Sequence, residues 1–218
     1  MNSYEKETAG TKQSIRNKIF EVFTKNPPPV NRPYRFTTLP GTPGFTSRKS
    51  LEKMLRHQYP DCCIVGLEYS NRSATRLENW ADVFQLYKQH RGLLNKLHYR
   101  DIGDYFAVYN SKQQDLVFAD LCGGATTKVL NDWRYLFQRD NLSNGAYIGI
   151  TLNESPRIRR HVVPTNEAFN YIVELCSNHG LNLELIEPPL HYDNGRLNAY
   201  VGGRSQPMVF LFMRITYQ

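Results

Sequence analysis

Apolar residues first gather at Ile15, Ile19, Val22 and Phe23, with lysine and arginine between them. That spacing predicts an amphipathic helix over residues 13–24, preceded by a polar and mobile stretch over 1–12. Asn26-Pro27-Pro28-Pro29 ends it, because proline lacks the N–H that would continue the helix, and supplies a stiff connector. From Arg32 onward, short apolar runs alternate with helical stripes. Strands are expected at 34–39, 62–68, 97–99, 115–120 and 146–152, the last entered through an Asn144-Gly145 turn. Helices are expected at 47–58 with Ser47 as N-cap, at 72–90, near 104–110, at 126–138 and at 165–179. The inward residues of the last helix are Phe169, Ile172, Val173 and Cys176, and Gly180 closes it. Residues 181–186 and 208–215 are strand-like, with no helix in the polar, glycine-rich stretch between them.

Apolar strands alternating with amphipathic helices imply an α/β fold, a doubly wound and mostly parallel seven-stranded sheet with helices on both faces. The helix-free ending must pair as an antiparallel C-terminal hairpin. Residues 1–33 read as an N-terminal extension, and 34–218 as one Rossmann-like domain. The chain has 218 residues and is 40% hydrophobic, which suffices for a substantial core. No apolar run approaches the roughly 18 residues a spanning helix needs, so no membrane partner is expected. The first residues carry no secretory h-region, so a cytoplasmic, intracellular protein is expected. Four cysteines and six histidines show no ligand spacing, and no metal is expected.

Charge changes the picture further. Residues 1–58 hold 11 Lys/Arg against four Glu, whereas the remainder is balanced, so the whole net charge of +7 belongs to the front of the chain. A basic front on a neutral body suits a polyanion, DNA or RNA, with Lys12, Arg16 and Lys18 as contacts. Arg157, Arg159 and Arg160 form a second basic cluster past the fifth strand. A solvated surface would carry the same charges.

Ligands of open α/β sheets bind outside the carboxyl ends of the strands. There the sequence places the loop Leu39-Pro40-Gly41-Thr42-Pro43-Gly44, then Glu68 with Tyr69, Asp101 with Ile102, and Asp120. A Gly-rich turn before a helix lets amides approach a carboxylate or phosphate. An acid ending strand two suits ribose hydroxyls, and a tyrosine beside it suits stacking on a base.

This order of elements, the acid after strand two and the helix-free last pair resemble the class I S-adenosylmethionine-dependent methyltransferases over roughly residues 34–217. The resemblance implies S-adenosyl-L-methionine as cofactor. Leu39, Pro40, Gly41 and Gly44 would stand in the glycine-rich first motif and Glu68 at the ribose. Asp101 and Ile102 would meet the adenine, and Asp120 would hold the methionine amine or orient the acceptor. It implies a methyltransferase acting on nucleic acid. Prolines at 40 and 43 each remove an amide donor from the first loop, which leaves room for a second class of function, a non-catalytic binding module on the same fold.

Overall fold

Side chains alternate across each strand, and here that alternation sorts the apolar residues into two cores, one on each face of a single mixed sheet. The computed structural model describes residues 3–39, 50–67, 92–98, 101–110, 112–121, 124–154, 163–196 and 205–218. Helix α1 (Ser3–Lys25) precedes β1 (Arg35–Thr38), α2 (Leu51–Gln58), β2 (Cys63–Leu67) and β3 (Lys96–His98). A short α3 (Ile102–Asp104) runs into a π-turn over Tyr105–Tyr109 and leads to β4 (Gln114–Asp120). Then follow α4 (Thr127–Leu136), β5 (Leu142–Asn153), α5 (Thr165–Asn178), β6 (Leu181–Leu185), β7 (Leu190–Arg196) and β8 (Ser205–Tyr217).

The strand order is β3-β2-β1-β4-β5-β8-β6, with β7 also paired to β8. Strands β1 to β5 are mutually parallel, and β8 is antiparallel to β5, β6 and β7. The order reverses between β1 and β4, the switch point at which such sheets bind ligands. The seven expected strands become eight segments for a local reason. Ile186 still donates to Phe212 O at 2.9 Å, then Glu187-Pro188-Pro189 leaves the ladder, and β7 resumes with Leu190 opposite Phe210. Two consecutive prolines offer no N–H to β8, so the edge breaks there. The β7 segment lies in the polar, glycine-rich stretch between the two expected last strands.

Other differences are equally physical. Residues 3–12 are helical and continuous with the expected helix. Ser50 caps α2, its hydroxyl accepting from Lys53 N, while Ser47 lies outside the described residues. Asp101, not a later residue, caps the short helix after β3. Asn144-Gly145 is no entry turn: β5 begins at Leu142, and Gly145 at φ +84° sits where its register with β4 shifts. Val173 is exposed, and Ala168, Ile172, Leu175 and Cys176 form the buried stripe of α5. Gly180 adopts φ +65° after that helix, as a C′ glycine does.

Helix α1 is a layer of the fold. Ile15, Ile19 and Phe23 are buried against Phe36 of β1, Phe118 of β4, Tyr147 of β5 and Phe210 of β8. Phe23 meets Phe36 edge-on at 5.2 Å between ring centroids. Gly149 of β5 makes the approach possible: a Cβ there would stand 3.1 Å from both Phe118 and Phe210 and 3.3 Å from Ile19. The opposite core packs α3, α4 and α5 through Ile102, Trp133, Leu136 and Ile172 on Val117, Ile148, Ile150 and Leu211. No helix among the described residues is long and apolar enough to cross a membrane.

At the amino end of the sheet, Asp115 of β4 has a fully buried carboxylate with four donors. Arg32 grips it with two nitrogens at 2.7 and 3.1 Å, Arg35 N donates at 2.8 Å, and the Ser143 hydroxyl donates at 2.5 Å. Asp115→Ala is expected to remove about 3 kcal/mol of stability, because it strands the guanidinium and two neutral donors. Gly149→Val is expected to cost about 2 kcal/mol by overpacking beneath α1. Both are read as a lowered midpoint in urea unfolding; an unchanged midpoint would contradict either assignment.

Candidate functional site at the carboxyl edge of the sheet

Five parallel strands deliver their last residues to one edge. Leu39 follows β1 and is tied to β4 by its N–H donating to Phe118 O at 3.1 Å. His98 ends β3, Asp120 ends β4, and Asn153 ends β5 with Glu154 next in the chain. The hydroxyl of Thr38, the last residue of β1, is buried with no hydrogen-bond partner.

Asp120 is held from two sides. The Thr151 hydroxyl of β5, its register partner, donates to Oδ1 at 2.8 Å. Lys12 of α1 donates to Oδ2 at 3.0 Å and to Oδ1 at 3.3 Å. The two charged side chains are only 10% and 12% exposed, so each relies on the other in a poorly solvated place. Lys12, expected to meet nucleic acid, is thus turned inward, and it brings one positive charge to the strand-end acid. Carboxylate oxygens keep spare lone pairs, so Asp120 can accept from a further donor.

Asp101 and Ile102 lie beyond β3. Asp101 Oδ1 accepts from Asp104 N at 2.8 Å as the N-cap of α3, and Oδ2 meets Lys128 of α4 at 2.6 Å. Lys128 also bonds Asp132 at 3.1 Å. Burial by itself would lower the Lys128 pKa, but the hydrogen bonds that Lys128 donates to Asp101 and Asp132 outweigh it and raise it. Gly103 permits this clamp: a Cβ there would stand 2.3 Å from Asp132 Oδ1, so α3 can approach α4 only as glycine. Ile102 is buried beneath. The cap reading and the ligand reading of Asp101 therefore fall on one side chain.

Of the other expected residues, Lys18 pairs with Glu187 and keeps a 41% exposed side chain, and Arg16 is half-buried on α1. Pro40, Gly41, Gly44, Glu68, Tyr69, Arg157, Arg159 and Arg160 lie outside the described residues, as does the helix expected at 72–90. Burial pushes the Cys62 thiol up to about 11 and the Cys176 thiol up to about 12, which leaves both protonated and unreactive near neutrality. Among the described residues, no group of three His, Cys, Asp or Glu side chains could hold a metal ion.

One part of the edge has no counterpart in the sequence reading. A cavity of about 790 Å³ opens beyond the end of β5, lined by Leu152, Asn153, Glu154, Phe169, His191 and Leu211 among others. Glu154 accepts from the Thr165 hydroxyl at 2.5 Å, and its Oε2 lies 2.9 Å from His191 Nδ1. An acid at the carboxyl end of a strand was the signal that singled out Asp120. Glu154 carries the same signal, displaced because β5 runs to Asn153 rather than Leu152.

No protein-family model matches the chain, and no curated protein matches it by sequence. Solved structures do match in shape. The plantazolicin methyltransferase BamL, in complex with a triazolic desmethylPZN analog and SAH, superposes with a TM-score of 0.58 at 13% identity, over 97% of this chain and 88% of that one. The YcgJ protein of Bacillus subtilis gives 0.54 at 10% identity over 93% and 98%. A SAM-dependent methyltransferase from Archaeoglobus fulgidus gives 0.51 at 10% identity over 97% of both. With its reversed strand order and antiparallel last strand, the chain has the class I methyltransferase fold.

Proposed function

We propose that the protein is an S-adenosylmethionine-dependent methyltransferase. The observation that carries this reading is the buried pair of Lys12 and Asp120 at the switch-point edge, which offers one charge of each sign where an α-amino acid group needs both. Asp120 accepts from the ammonium of the methionine part, and Lys12 donates to its carboxylate. The unpartnered hydroxyl of Thr38 adds one more polar group at the end of β1. Leu39 opens the segment of Pro40, Gly41 and Gly44, to which we assign the same carboxylate as ligand. Glu68 accepts from the ribose hydroxyls with Tyr69 beside it. Asp101, fixed by Lys128, accepts from the adenine amine while Ile102 packs on the ring. Bound S-adenosylmethionine supplies an electrophilic methyl group, so the work left to the chain is to position an acceptor in line with it.

A nucleic-acid acceptor is the finer reading offered by the charge map. It rests on Arg16 and on the cluster Arg157, Arg159 and Arg160, since Lys12 and Lys18 are engaged with Asp120 and Glu187. The alternative, a non-catalytic binding module, differs from both in needing no cofactor.

Calorimetric titration separates these readings. S-adenosylmethionine is expected to bind the full chain, and Glu68→Ala to weaken it by about tenfold or more, the loss of two charge-assisted hydrogen bonds. Absence of binding would remove the methyltransferase reading, and binding indifferent to Glu68→Ala would remove the pocket assignment. Replacing Arg157, Arg159 and Arg160 together by alanine is expected to weaken RNA or DNA retention and flatten its salt dependence if a polyanion is the acceptor. Retention unchanged by that triple variant would set the nucleic-acid reading aside.

A further inference from the structure

The cavity beyond β5 is walled mostly by apolar groups. Leu152, Val163, Phe169, Pro189 and Leu211 line it beside two titratable side chains, Glu154 and His191. Those two are the only titratable groups among its described lining residues. Glu167 in the first turn of α5, and the Lys18–Glu187 pair between α1 and the β6–β7 break, stand on the adjoining elements. Asp193 and Arg196 follow on β7 itself.

The pair is built from three elements. Glu154 extends from β5, Thr165 opens α5 and fixes one carboxylate oxygen, and His191 stands on β7 with its Nδ1 against the other. An imidazole whose Nδ1–H is committed to a carboxylate presents Nε2 with its lone pair free, oriented and able to take a proton. His191 keeps 65% of its side chain exposed, so that nitrogen is accessible. On the reading above, the donor lies over β1, β2 and β4. Thr151, which holds Asp120, is only three residues before Glu154 on β5. The cavity therefore adjoins the place where the methyl group would be presented.

We propose that this cavity is the acceptor site, that its ligand is a compact, largely apolar molecule bearing a phenol- or enol-type hydroxyl, and that His191, held by Glu154, is the general base. This rests on the methyltransferase reading. The hydroxyl proton passes to His191 Nε2 and later to water. The acceptor oxygen forms the new O–CH3 bond. The carbon–sulfur bond of the donor breaks, its electron pair remaining on sulfur, which turns a sulfonium into a thioether. The imidazolium formed in the step lies against the Glu154 carboxylate, so charge is created beside its counterion. An apolar wall raises the strength of that contact and favours a ring over a solvated polyol.

The test uses 4-nitrophenol, a small O–H acid whose phenolate absorbs where the phenol does not. It is titrated into the full chain about one pH unit below its own ionisation. The bound probe is expected to show the phenolate band, because in the bound pair the proton rests on His191 and the phenolate oxygen accepts from Nε2–H. His191→Gln is expected to abolish that band and Glu154→Gln to weaken it. Asn166→Trp, at the exposed rim of the cavity, is expected to weaken binding by about tenfold. S-adenosylmethionine is titrated into the same proteins, and its affinity is expected to stay unchanged in all three variants. A phenolate band that persists in His191→Gln, or binding indifferent to Asn166→Trp, overturns the proposal. Failure of the unaltered chain to bind the probe, with its cofactor binding intact, overturns the acceptor site alone. Loss of cofactor binding with the probe response intact overturns the methyl-transfer role, and leaves a hydroxyl-binding base without it.

Discussion

Everything at the carboxyl edge depends on a carboxylate at the other end of the sheet. Asp115 is inaccessible to water, and it is tolerable there only because a guanidinium, a backbone amide and a hydroxyl converge on it. Those donors come from the proline-rich connector, β1 and β5, on either side of β4. One ion pair thus joins three strands and the segment leading out of α1, and so sets their relative slide. A parallel sheet places its functional residues by how far each strand runs before it ends. Fixing the start of β1, β4 and β5 fixes where Leu39, Asp120 and Glu154 emerge.

The basic front of the chain takes on a different meaning in this light. Charge alone presented it as an arm for an external polyanion. In the structure its apolar face fills the space over Gly149, and Lys12 neutralises the acid at the end of β4. Part of the excess charge is therefore spent inside the molecule. The same helix that covers one core also completes the edge site, so its packing and the electrostatics of Asp120 cannot be varied independently.

What was legible in the sequence was whatever depends on neighbours in the chain. The apolar run that stops at Asp120, the existence of α5 and the glycine after it are local patterns with local causes, and they lie where expected. The buried stripe of α5 is nevertheless turned from Phe169 and Val173 to Ala168 and Leu175. The fold class followed from their alternation. Contacts between distant residues left no such trace. Lys12 and Asp120 are 108 residues apart, and Glu154 and His191 are 37 apart. No spacing rule connects either pair, because the sheet order that unites them is a tertiary fact. Strand β7 escaped for another reason: its residues LHYDNGR are polar, and its amphipathic signal is cut short by Pro188 and Pro189. Gly145 misled in the opposite direction, since a positive φ marks a bulge as readily as a turn.

The break at those two prolines has a bearing on how copies of this protein meet. Strands β6 and β7 form one border of the sheet, and a border with an unbroken row of free amides and carbonyls is a template for another chain. Here the row is interrupted after Ile186, and the two segments on either side are out of step with each other. A foreign strand could pair with only one short stretch before losing register. Two residues that weaken the internal ladder thereby keep this flank from growing into intermolecular sheet. The obstacle to strand pairing along that side lies in its backbone chemistry, independently of any surface charge.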